Sequence, residues 1–116
     1  MKTVESLKIL ETIQREFKAN GYAQVSGHNP FGYIGETPKA FVISRGSGND
    51  IRIPFLKLLQ GIEAVQDDIN VYDGGPGKLK DYGIAHNNSP IWALLHLAPK
   101  SDYWTGALII IHRVDT

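Results

Sequence analysis

Between Asp73 and Lys80 the chain reads DGGPGKLK, and glycines beside lysines let backbone N–H groups close on a phosphate while an ammonium neutralises it. The spacing does not fit a nucleotide-binding phosphate loop. Such a loop needs a glycine where Tyr72 stands and a hydroxyl residue where Leu79 follows Lys78. Gly74, Gly75 and Pro76 suit the end of one helix and the start of another, which leaves Lys78 and Lys80 as candidate phosphate contacts.

Four histidines, His28, His86, His96 and His112, raise metal chemistry, yet none stands in an HExxH spacing or at a familiar offset from a carboxylate. His96 sits in an apolar segment, where a half-buried, hydrogen-bonded ring is the simpler role, and His112 is expected on the exposed side of a strand. There is no Gly-x-Ser-x-Gly elbow and no cysteine, so nucleophilic catalysis lacks a nucleophile. A metal-dependent nuclease would need carboxylates and a lysine around a divalent ion, and the Glu16-Phe17-Lys18 pairing has no second carboxylate placed beside it. Asp67, Asp68 and Asp73 offer oxygens to a hard cation, but a solvated helix end explains them more simply. No catalytic residue, metal ligand or cofactor is assigned, and a small metal-dependent enzyme is the third choice of function.

Twelve basic and twelve acidic residues cancel, so no global field draws the molecule onto nucleic acid or an anionic membrane. Locally the balance differs: Lys39, Arg45, Arg52 and Lys57 outweigh Glu36 and Asp50, whereas Glu63, Asp67, Asp68 and Asp73 make Gln60 to Gly75 acidic. Chance separation on a solvated surface accounts for this, and so does a basic contact surface around the strands. If DNA is a partner, the candidate contacts are Arg45, Arg52, Lys57, Lys78 and Lys80 with the polar loop His86-Asn87-Asn88-Ser89. That loop offers amides and a helix N-terminus to phosphate or base edges, or serves only as a connector with a serine cap. Near the carboxy end, Trp92, Tyr103 and Trp104 gather aromatic surface. Trp92 should pack inward, while Tyr103 and Trp104 are candidates for a protein or homodimer interface at a wet rim.

These groups need elements to hold them. With 116 residues, 42% of them hydrophobic, the chain suits one domain with a core that needs neither disulfide nor metal. The lack of cysteine fits a reducing compartment, with the cytoplasm as the default. The amino terminus MKTVESLKILETIQREF alternates charge with apolar residues, unlike a secretory leader, and no apolar run approaches the roughly 20 residues that span a bilayer.

Val4, Leu7, Leu10, Ile13 and Phe17 predict a helix from Val4 to Asn20 that Gly21 stops. Two short extended pieces between Tyr22 and Pro38, divided by Gly27-His28-Asn29-Pro30, predict an irregular hairpin, and Ala40 to Arg45 with Ile51 to Ile53 a second hairpin. Pro54 opens a helix whose stripe is Phe55, Leu58, Leu59, Ile62, Val65 and Ile69. Its interior Gly61 costs roughly 1 kcal/mol against alanine and marks tight core packing or a close approach by another backbone. A short helix from Pro76 to Tyr82 ends at Gly83, Ser89-Pro90 caps a last helix that Pro99 terminates, and Ala107 to Val114 reads as a central strand.

Three helices and then a strand admit a winged-helix-like unit. Against its ordinary version, Ile91, Trp92, Leu94, Leu95 and Leu97 leave the last helix almost no polar face for reading bases. The segment IRIPFLKLLQGIEAV with the later LKDYGIAHNNSPIWALLHLAP resembles a helical accessory module found beside bacterial nuclease and restriction-type domains. The likeness is carried by the strand-to-helix passage at Pro54, by Leu79-Lys80 before Tyr82-Gly83-Ile84, and by Ser89-Pro90-Ile91-Trp92, and it covers less than half the chain. It implies DNA association or a role beside a nuclease in restriction-modification. This chain departs from a strongly basic DNA binder and has no catalytic domain of its own. The expectation is one α+β domain, about four helices on a small, mainly antiparallel sheet, acting as a non-enzymatic nucleic-acid-associated module. A protein-interaction or adaptor domain using the aromatic carboxy-terminal edge is the alternative.

Overall fold

The structure is a computed structural model that describes residues 3–45 and 49–103. It begins with α1 (Thr3–Asn20), followed by four strands, β1 (Tyr22–Ala23), β2 (Phe31–Glu36), β3 (Ala40–Arg45) and β4 (Asp50–Pro54). Next come α2 (Phe55–Asp67), the single turn α3 (Asn70–Asp73), a 3-10 helix (Pro76–Tyr82) and α4 (Asn88–Leu95). The expected α+β class is what forms, helices against a four-stranded antiparallel sheet in the order β1-β2-β3-β4. The strand expected at Ala107 to Val114, on which a winged-helix arrangement depends, lies outside the described residues.

α1 buries Ile9, Leu10, Ile13 and Phe17, but its stripe is rotated from the expected one. Leu7 is 47% exposed, and Ser6 takes the inner position, its hydroxyl donating to Gln66 Oε1 at 2.9 Å. This bond gives the buried Ser6 side chain a partner and ties α1 to α2. Gly21, at φ +83°, ends α1 in the left-handed region as expected.

Both predicted hairpins form, β1 with β2 through Tyr22 opposite Gly32 and Ala23 opposite Phe31, and β3 with β4, and the sheet is completed by a β2–β3 pairing that was not predicted. β2 pairs with β3 from Phe31 opposite Arg45 to Glu36 opposite Phe41, with a bulge between Tyr33 and Gly35. β3 pairs with β4 without a shift, from Ala40 opposite Pro54 to Ser44 opposite Asp50. Phe41, Ile43 and Ile53 point to the helical layer and are fully buried. There Phe17, Phe41 and Phe55 meet edge to face at 5.0 Å between successive ring centroids, the arrangement the ring quadrupoles favour.

Pro54 is the N-cap of α2, one residue before the helical turn expected to hold it. Leu58, Gly61, Ile62, Ala64 and Val65 are buried. A Cβ on Gly61 would stand 3.3 Å from both Ile91 Cγ2 and Leu95 Cδ1, so α4 approaches this glycine through side chains and not through its backbone. The predicted stripe overran the helix at Ile69, because α2 ends at Asp67. Asp68 turns extended there, and its Oδ1 accepts the Asn70 N–H at 3.0 Å, an Asx turn that competes with the helical ladder.

α4 also differs at both ends. Its N-cap is Asn87 and not Ser89, and the helix stops at Leu95, four residues before Pro99, with His96 and Leu97 in the turn that follows. All six residues from Pro90 to Leu95 are buried, which places this helix in the core as its composition required. Among the described residues no helix is long and apolar enough to cross a membrane.

Candidate functional site

Among the described residues β4 is an edge strand of the sheet, and Pro54 passes directly from it into α2, so Arg52 and Lys57 lie at neighbouring points of one wall. Arg52 stands opposite Val42 on β3, on the row that alternates with buried Ile53, and both cationic side chains are exposed.

The facing wall is the connector between the 3-10 helix and α4. Gly83, at φ +82°, reverses the chain, which glycine adopts without the Cβ conflict of other residues. Its N–H reaches the Lys80 carbonyl at 3.1 Å and the next N–H, of Ile84, reaches Leu79 at 3.0 Å. Ile84 is buried and anchors the connector, while Ala85 and His86 remain exposed. Gln60 on α2 donates its side-chain amide to the Tyr82 carbonyl at 2.5 Å, which fixes the two walls to each other.

Between them opens a cleft of about 700 Å³ lined by Asp50 to Pro54, Lys57, Gly83 to Asn87 and Ile91. Four of the residues singled out in the sequence, Arg52, Lys57, His86 and Asn87, come together here from segments about thirty residues apart. Isoleucines 51, 53, 84 and 91 form an apolar floor in which Ile51 is half-buried and the other three are buried, and among the described residues Asp50 is its one carboxylate. Chemically the cleft offers two permanent cations, an imidazole and a side-chain amide above a nonpolar base.

The other candidates fall elsewhere. Arg45 is exposed at the end of β3, and Lys78 and Lys80 are exposed on the 3-10 helix, none of them lining the cleft. A Cβ on Gly74 would stand 2.7 Å from the Asn70 carbonyl oxygen, a backbone atom that cannot move aside as the exposed Lys78 side chain can, so that glycine is required by packing in the same run that suggested a phosphate loop. Asn88 donates its side-chain amide to the Pro76 carbonyl at 3.2 Å, fastening α4 to the 3-10 helix beside the cleft wall.

The aromatic group is structural where it is described. Tyr103 is not at a wet rim: it is 5% exposed and donates its hydroxyl to the Leu95 carbonyl at 2.8 Å, and burial pushes its phenol well above the ordinary value. Trp104 lies outside the described residues. Trp92 is buried as expected, with its indole N–H on the Val71 carbonyl at 3.0 Å. The sequence did not reveal its neighbours: His28 meets its ring at 4.9 Å and His96 at 4.5 Å, the His96 ring lying in turn 3.9 Å from Tyr72. His28 reaches this stack from the β1–β2 loop, more than sixty residues away, and no local pattern encodes such a contact. Burial lowers the His96 imidazole, against the opposing pull of the Trp92 and Tyr72 backbones and Asp73. Among the described residues no three His, Asp or Glu side chains gather as a metal site.

No protein-family model, curated protein or solved structure matches the chain.

Proposed function

We propose that this domain is a non-enzymatic nucleic-acid-associated module that takes phosphate at the cleft between β4 and the 83–87 connector. The observation that supports it is the convergence of Arg52, Lys57, His86 and Asn87 on one concave surface, although the chain as a whole carries no net charge. Arg52 and Lys57 supply the attraction, and the His86 and Asn87 side chains supply neutral hydrogen-bonding groups to phosphate or base. A place beside a nuclease, as the resemblance of the Ile51 to Pro99 segment implies, belongs to the same proposal. The aromatic-edge adaptor loses one of its two anchors to the core with Tyr103.

Phosphate contacts release counterions, so binding weakens as salt rises, with a logarithmic slope of about 0.7 to 0.9 per phosphate neutralised. Lys57→Ala should reduce that slope by roughly one such increment in a fluorescence titration against a labelled oligonucleotide, whereas Lys80→Ala should leave it unchanged. Salt-independent binding, or equal effects of the two substitutions, would remove the cleft from the interaction.

A further inference from the structure

Resting on that reading, the cleft also constrains which form of nucleic acid it takes. Duplex-binding proteins commonly neutralise about six to ten phosphates along an extended surface. Among the described residues Arg52 and Lys57 are the only permanent cations lining the cleft, Asp50 partly offsets them, and Arg45, Lys78 and Lys80 do not join them. The volume of about 700 Å³ is instead that of a small-molecule site, within the range of roughly 300 to 1,000 Å³ in which such ligands bind.

The β4 edge adds hydrogen-bonding groups. The Phe55 N–H bonds to the Lys39 carbonyl at 2.8 Å, and the register of Ile53 with Phe41 and Ile51 with Ile43 continues that ladder. By the alternation of an antiparallel pair, the N–H and C=O of Arg52 therefore point away from β3. Among the described residues no strand pairs with that edge, and all five β4 residues line the cleft. An adjacent donor and acceptor above isoleucines suit the Watson–Crick edge of a base, which is free in an unpaired nucleotide and occupied in a duplex. We infer that the cleft seats one unpaired nucleotide, its base against the Arg52 backbone and the isoleucine floor and its phosphate toward Lys57 and His86, so that single strands or unpaired ends are preferred to duplex.

The test is an anisotropy titration of the intact chain with a labelled short DNA single strand of mixed sequence and with a blunt duplex of that sequence. Ala85 lines the cleft and is exposed, so Ala85→Trp fills the space without removing a charge, and a circular dichroism melt verifies its fold. The single strand should bind at least about tenfold more tightly than the duplex, and Ala85→Trp should erase that preference. With the unaltered protein, a nucleoside monophosphate should displace the labelled strand at concentrations where inorganic phosphate does not. Equal affinity for both forms, an undisturbed preference in Ala85→Trp, or equal displacement by inorganic phosphate would overturn the nucleotide seat. If Lys57→Ala weakens both forms alike while Ala85→Trp weakens neither, the basic surface stands and the seat falls. If neither form binds, both fall.

Discussion

His96 shows how a single side chain in this core carries a pH dependence. Its Nδ1 lies 2.9 Å from the Trp92 carbonyl, its ring is sandwiched against Trp92 and Tyr72, and burial holds its affinity for a proton below the ordinary value. His28, whose ring also meets Trp92, adds to that lowering, and Asp73 opposes it. With the folded value depressed, the unfolded chain binds more protons once the pH drops below about 6.5, the ordinary histidine value. The stability from neutral His96 is therefore complete above that pH and is lost as the pH falls through the folded value. Urea midpoints should drop between about pH 7 and pH 5, and less steeply in His96→Gln, which keeps a donor for the Trp92 carbonyl but does not titrate. An unchanged pH slope in that variant would show that His96 is not the group responsible. The inward placement of Trp92 and the half-buried ring of His96 were legible from their apolar surroundings. Tyr103 was not: a tyrosine between Asp102 and Trp104 carries no sign that its hydroxyl is donated to the Leu95 carbonyl, eight residues back.

Elements were legible where period and punctuation agree. β3 and β4, the Gly21 stop and the 3-10 helix closed by Gly83 follow from alternation and from glycines at positive φ. They failed where a short polar side chain offered the backbone a local partner, as Asp68 does at the end of α2, because periodicity continues past a break that a hydrogen bond decides. The cleft depends on one of these punctuation marks. An added Cβ at Gly83 would both strain a backbone at φ +82° and stand 2.8 Å from Gln60 Nε2, the group that ties the connector to α2. Gly83→Ala should cost about 1 to 2 kcal/mol in urea denaturation and should weaken oligonucleotide binding through displacement of the 83–87 wall. A loss of stability with full binding would mean that the connector does not shape the site.

For the whole molecule, cancelling charge makes placement matter more than number. Arg52 and Lys57 could be grouped from the sequence because only four residues of strand and helix onset separate them, but their meeting with His86 and Asn87 depends on α4 packing across α2 at Gly61, a long-range contact with no local signal. The lysines of DGGPGKLK looked more like a phosphate site in one dimension than they do in three. That contrast makes the location of binding the decisive property. Amide chemical-shift mapping of the labelled protein with a short single-stranded oligonucleotide locates it directly. The largest shifts should fall on residues 50–57 and 83–87, lining the cleft, with Lys78 and Lys80 little moved. Shifts centred on the 3-10 helix or the sheet face, or none at saturating oligonucleotide, would contradict a nucleic-acid site between β4 and the connector.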